Sequence, residues 1–329
     1  MSTSTVPTRA VRLSVVPPFP PIATKLLGML SLANVDIQEL ADVISSDPMF
    51  TGRILQHANS VEFGLQEPIR NIRHALTTLG IDSARRITIT AATGVYSKVA
   101  LRTADLRRCW EHTVATAVLA EEIAICCGKF LESAYSAGIM HDIGRLGLVV
   151  AYPAQYEQTL RYAAGHCIDL LDHEREVFGM DHAEAGRLLT ERWKLPRDFQ
   201  VIAGRHHDAC EGTELTLLRI VHVACRLADH FHYDVTQPLK ALNFEEIVAE
   251  LPERARAGIM KLDPQLLHHK IDENIRSFSS VPEHEDPHTA WKSAATALPG
   301  EPAPNHVPPV PIRRSLLTRF FAWLWGFEL

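Results

Sequence analysis

The chain has 329 residues, 46% hydrophobic and 22% charged, with a net charge of −6. That balance belongs to a globular protein with at least one sizeable core, and a pI of about 6.3 lacks the basic face of a nucleic-acid binder. Six cysteines without C-x-x-C spacing read as reduced core thiols of a cytoplasmic protein, and the first residues carry no pattern of a secretory signal.

Residues 1–16 read as a flexible leader. From 17 to 235 the pattern is almost continuously helical, with no convincing run of alternating strand residues, so the fold class is all-α. Helix starts are marked by side chains able to accept the free amides of a first turn. Asp36 with Glu39 precedes Leu40-Ala41, Asp47 precedes Pro48, and Asp181 with Glu184 places His182 in a first turn. Gly80, Gly128 and Gly144 are the expected stops. The helices divide into an N-terminal lobe over 17–99 and a second lobe over 100–235, a two-lobed helical bundle. A helical extension follows over 236–279.

Eight prolines between Pro282 and Pro311 mark 280–312 as a disordered Pro-rich linker. Residues 313–329 follow as a short amphipathic helix, with Arg313-Arg314 ahead of Leu317, Phe320, Phe321, Leu324 and Trp325 on one face. The segment is shorter than the roughly 20 residues a membrane span needs, but it suits the membrane interface. Packing back onto the globular body, or docking on a second subunit in an oligomer, are the alternatives.

The residues that could carry chemistry fall in the second lobe. Asp229 follows the apolar helix Leu217–Ala228, where a carboxylate is costly to bury unless a metal, an arginine or a histidine compensates it. His112 lies among small residues that suggest close helix packing. His141-Asp142 stands at a helix end, before Gly144. His206 and His207 point about 100° apart on a helix, so one of them faces a site that His182 also reaches, His206 being slightly favoured. Each residue alone has a plain reading: a solvated helix-end aspartate, a core histidine on a backbone carbonyl, a surface pair. Together they suit one or two divalent metals, with Fe, Mn, Zn and Mg all admissible. Two metals bridged by Asp142 would activate a water and stabilise a phosphoryl oxygen, with Arg145 three residues on to meet a phosphate.

In the order His112, His141-Asp142, His182, His206, Asp229, the second lobe resembles the HD superfamily of metal-dependent phosphohydrolases. The first lobe narrows the resemblance. Pro17-Pro18-Phe19-Pro20-Pro21, Asp47-Pro48, Leu55-Gln56-His57-Ala58-Asn59-Ser60, Phe63-Gly64 and Leu79-Gly80 look like the HDOD domain of bacterial signalling proteins. So do Asp181-His182-Ala183-Glu184-Ala185-Gly186 and Trp193-Lys194-Leu195-Pro196, and the match spans about 13–230. The resemblance implies a regulatory module without an established reaction, responding to a signalling protein or a small-molecule signal.

Related HD-GYP proteins hydrolyse cyclic di-GMP. This chain departs from them: no Gly-Tyr-Pro follows His206–Gly212, Arg145 replaces a lysine, and Arg108 stands where some offer an extra acidic ligand. These departures argue against that activity. If the chain is instead a phosphohydrolase, the resemblance assigns His112, His141, Asp142 and Asp229 to one metal, and His182 with His206 or His207 to a second. Asp142 and Arg145 would then be the catalytic pair.

Flotation on anionic vesicles, with and without residues 313–329, separates the readings of the tail. Interfacial binding predicts vesicle association that disappears with the deletion, and equal behaviour of the two chains removes it.

Overall fold

The computed structural model describes residues 13–30, 35–59, 68–210, 212–237 and 243–279. The linker expected over 280–312 and the amphipathic helix over 313–329 lie outside the described residues, as do Phe63-Gly64 and residues 1–12 of the leader. Among the described residues there is no strand, and no helix is long and apolar enough to cross a membrane.

Single carboxylates start two helices of the first lobe. Asp36 accepts from the amides of Gln38 and Glu39 at the head of α2 (Ile37–Ser45), and Asp47 from those of Met49 and Phe50 at the head of α3 (Pro48–Ala58). With α1 (Pro21–Leu30), these helices pack on α4 (Ile72–Ala100). The Asn59 amide explains part of the sequence pattern that follows α3. It donates to the carbonyls of Leu55 and Ile69 and accepts from the Ile69 amide, closing the loop between α3 and α4 at its base. Gly80 does not stop a helix outright. Its φ of 78° and ψ of 163° join two helical stretches of α4 across a kink, a conformation open to glycine and little else.

The second lobe is built around α5 (Ala104–Cys127), which ends on Gly128 in the left-handed region as expected. Its buried face alternates small residues, including Ala115, Ala117 and Ala120, so α6 (Ala134–His141) and α12 (Leu217–His230) approach closely. A Cβ on Gly138 of α6 would overlap the backbone of Ala117. Helices α7 (Ile143–Ala151), α8 (Pro153–His166), α9 (Leu170–Phe178), α10 (His182–Arg192) and α11 (Arg197–Arg205) surround this centre. Beyond α12, α13 (Phe244–Val248) precedes α14 (Glu253–Ile259) and α15 (Pro264–Ser279), and the last two pack on α5.

The two lobes share one hydrophobic core running from Leu13 to Ile271, because α4 packs on α1–α3 and also on α5, α6 and α7. A second tie joins the N-terminal segment to α10. Trp193 stacks on Tyr96 at 5.5 Å and packs on Phe19 at 5.8 Å, while Arg192 donates to the carbonyls of Leu13 and Val16. The leader is therefore shorter than the 16 residues read from the sequence: Leu13–Val15 form a 3-10 turn, and Leu13 and Val16 are buried under that arginine. The thiols also differ from expectation. All six are free, but only Cys109 and Cys225 are buried, and Cys167 is exposed at a left-handed helix end.

Gly144 is the other departure. It is the second residue of α7 rather than a stop, and Asp142 forms the junction between α6 and α7. Glycine is needed there for close approach, since a Cβ would fall inside the backbone of His182 and Gly186 on α10. Gly144→Ala is expected to cost about 3 kcal/mol or more in urea denaturation, the upper part of the range for overpacking, because the obstacle is backbone. Gly165→Ala, in open space on α8, is expected to gain roughly 0.5–1 kcal/mol. Equal effects at the two positions would contradict this packing.

Candidate metal centre

Three helix ends and the middle of α5 converge around the α6–α7 junction. The junction supplies His141 and Asp142, α10 begins with His182, α11 ends just before His206 and His207, and α5 supplies His112. His141, Asp142, His182 and His206 are at most 1% exposed, and His112 is 3% exposed. The sequence-expected histidines and Asp142 are thus brought together, with His207 exposed at the rim.

The rings are oriented by their second nitrogens. Nδ1 of His141 is 2.6 Å from the Gly138 carbonyl, Nδ1 of His206 is 3.2 Å from that of Ile202, and Nδ1 of His112 is 3.0 Å from that of Tyr233. Nδ1 of His182 is 2.7 Å from Oε2 of Glu174, which also accepts from the His182 amide. An acceptor at each Nδ1 places the proton there and leaves each Nε2 as a lone pair. The Nε2 atoms of His182 and His206 lie 3.3 and 3.5 Å from Oδ1 of Asp142, and that of His141 lies 3.9 Å from its Oδ2.

Burial of this set is costly, and one cation compensates much of it. Arg145 donates through Nε to Oδ2 of Asp142 at 2.6 Å and through Nη1 to the Tyr156 hydroxyl at 3.2 Å, with Nη2 2.9 Å from Nε2 of His182. The Tyr156 hydroxyl donates in turn to Glu174, whose carboxylate lies 3.7 Å from Arg145. Burial alone would raise the pKa of Asp142. The Arg145 guanidinium, with His141 and His182, overcomes it and holds the carboxyl well below its usual range. Burial would likewise raise Glu174, but His182 first, then Arg145 and Tyr156, hold it low. His141 is pushed well below the ordinary imidazole range, and His206 also downward, mainly by burial.

The donor chemistry fits a divalent cation. His141 with Asp142 and His206, and His182 with His206 and His207, each place three potential ligand atoms within 4.8 Å of one another. Nε2 of His141, Nε2 of His206 and Oδ1 of Asp142 are buried without a hydrogen-bond partner, which is costly unless something positive sits between them. Asp229 is placed differently. It lies 3.4 Å from Nδ1 of His112, on the far side of that ring from Nε2, and is about one-third exposed. Arg145, expected to meet a phosphate, is turned inward and 4% exposed.

Glu174, Tyr156 and Cys225 were not singled out from the sequence. Glu174 carries a legible signal: with Leu170, Val177 and Phe178 it follows helical spacing on the apolar stripe of α9, and a carboxylate on such a stripe needs a partner. Beside the cluster opens a cleft of about 590 Å³, lined by His207, Arg219, His222, Arg226, Glu250 and Arg256 among others.

Comparison with known proteins agrees with this architecture. A family model for the HDOD domain matches residues 16–209, more than half of the chain, and the chain belongs to that family. An HDOD domain protein of unknown function from Geobacter sulfurreducens is 25% identical, with a TM-score of 0.62 over 80% of this chain and 90% of its own. A Shewanella amazonensis SB2B protein, named provisionally as a phosphohydrolase, shares the fold at 23% identity and a TM-score of 0.56, over 81% of this chain and 95% of its own. An uncharacterized protein of Treponema pallidum (strain Nichols) is 23% identical over 265 residues, 77% of this chain. The chain matches only 50% of that curated relative's length.

Two outcomes follow for the chelator-treated protein. Arg145→Met is expected to lose about 3–5 kcal/mol of stability, since it leaves two buried carboxylates without their cation; a loss under about 1 kcal/mol would contradict the role given to Arg145. The pH dependence should have two stages. The depressed pKa values of His141 and His206 favour folding fully above the unfolded value of about 6.5, and this contribution drains away as pH falls below it. The depressed pKa values of Asp142 and Glu174 do the same below about 4. Stability that stays flat between pH 7.5 and 5 would contradict the first stage.

Proposed function

We propose that the protein is a regulatory HDOD module that holds a divalent metal in its buried histidine cluster and binds a signalling protein or a small-molecule signal. The observation that carries this reading is the inward turn of Arg145. Its guanidinium bonds Asp142, Tyr156 and His182 in a site whose central residues are essentially inaccessible. A phosphoester would have to displace that arginine or enter a closed core to reach Asp142. A metal held this way acts on stability and on the relative position of α5, α6, α10 and α11.

The neighbouring cleft supports a small signal with an anionic group. Arg226 is paired there with the one carboxylate, Glu250, which leaves the charges of Arg219 and Arg256, held on backbone carbonyls, in excess, and His207 belongs to both cleft and cluster. A ligand there would touch a residue that packs directly on His182, with their Nε2 atoms 2.8 Å apart. Recruitment to a membrane surface through 313–329 is compatible with this role.

The second reading is a metal-dependent phosphohydrolase, favoured by the unpartnered Nε2 atoms of His141 and His206 beside the carboxylate of Asp142. A bound metal would supply Lewis-acid stabilisation of a phosphoryl oxygen and a more acidic water. The two readings part on turnover. With Mn²⁺, Fe²⁺ or Mg²⁺ and a panel of nucleotides and cyclic dinucleotides, the wild type is expected to show no more hydrolysis than Asp142→Ala. Metal-dependent turnover abolished in Asp142→Ala would replace the regulatory reading with the enzymatic one.

A further inference from the structure

The cluster contains a donor outside the His/Asp pattern. Cys225 lies one helical turn before Asp229 on α12 and is 3% exposed. Its Sγ is 3.4 Å from Nε2 of His112, and these two atoms and a ring nitrogen of His141 all lie within 4.8 Å of one another. One further observation points to a cation between them, and a second shows how the pair is aligned. Nε2 of His141 is fully buried without a hydrogen-bond partner. Nδ1 of His112 faces the Tyr233 carbonyl and Asp229, so its Nε2 accepts from the Cys225 thiol, the one contact that a metal would replace.

The spacing suits a tetrahedral metal. With metal–nitrogen and metal–sulfur distances of about 2.0 and 2.3 Å, the N···S edge of the tetrahedron is about 3.5 Å. The His112–Cys225 separation already matches that edge. Asp229 sits against the opposite nitrogen of His112, the usual place for a carboxylate that orients a ligating imidazole.

We propose that His112, His141 and Cys225 form a thiolate-containing metal site, with Asp229 orienting His112 instead of ligating. This rests on the reading that the cluster holds a divalent metal, with the single Nε2 lone pair of His141 given to this set and not also to a metal between Asp142 and His206, and it names the class: a thiolate favours Zn²⁺ over Mg²⁺ or Mn²⁺. Binding breaks the Cys225 S–H bond, forms a metal–sulfur bond and releases the proton to solvent.

Cobalt(II) added to the chelator-stripped full-length protein tests this without reference to activity. The expected result is an intense near-ultraviolet thiolate-to-cobalt charge-transfer band, which saturates with added metal and is reversed by Zn²⁺. Cys225→Ser should fold, as judged by circular dichroism, and lose the band. Cys210→Ser, outside the three-residue cluster, should keep it. Competition with a chelator should show Zn²⁺ affinity lowered in Cys225→Ser by at least the roughly 10- to 100-fold that loss of a supporting residue costs. Saturable cobalt binding without the band, or with a band unchanged in Cys225→Ser, overturns the thiolate site while leaving the metal reading intact. Absence of saturable cobalt and zinc binding overturns both.

Discussion

The buried ion pair between Asp142 and Arg145 is the constraint on which the second lobe depends. Asp142 sits at the junction of α6 and α7 with no exposed surface, and a carboxylate in such a place cannot remain ionised without a positive partner. Arg145, less than one turn on, supplies that partner and brings further groups with it. Its remaining nitrogens reach Tyr156 of α8 and His182 of α10, and Tyr156 and His182 both bond Glu174 of α9. One aspartate thereby ties five helices together, and His182 takes its orientation from that frame through Glu174. This is why the site reads as a finished structural core and at the same time as a set of ligand atoms suited to a cation.

The first lobe is attached to the same frame through the end of α10. His182 opens that helix, and Trp193 follows its last residue, where it packs against Phe19 and Tyr96. Arg192 grips the backbone of Leu13 and Val16. A change at the cluster that moved α10 would be felt directly by the N-terminal segment and by α4. Such an arrangement is a physical route between the two lobes, made of packed rings and a charged side chain on one helix, of the kind the proposed regulatory role would use.

Much of this was legible in the sequence, for identifiable reasons. Asp36, Asp47 and Asp181 marked helix starts because a carboxylate before an apolar turn has one local use, and each caps as expected. The convergence of His112, His141, Asp142, His182 and His206 followed from a family order that local patterning could not supply. What remained hidden depends on tertiary approach. Gly144 looked like a helix stop because nothing local reveals that α10 passes against it. Which nitrogen of His112 Asp229 faces was not legible either, because position along α12 does not fix it. The approach of Cys225 to His112 was not legible, because the two lie on helices far apart in sequence. Arg145 looked free for a phosphate because the partners that hold it come from α8, α9 and α10.

Under the proposed function, the lone pairs gathered around Asp142 hold a divalent metal. Elemental analysis of the purified protein, beside His141→Ala and Asp142→Ala variants prepared in the same way, tests it most directly. The account predicts metal bound near stoichiometry in the wild type and strongly reduced in both variants. Wild-type protein carrying no more metal than the variants, and taking up none when it is supplied, would contradict it.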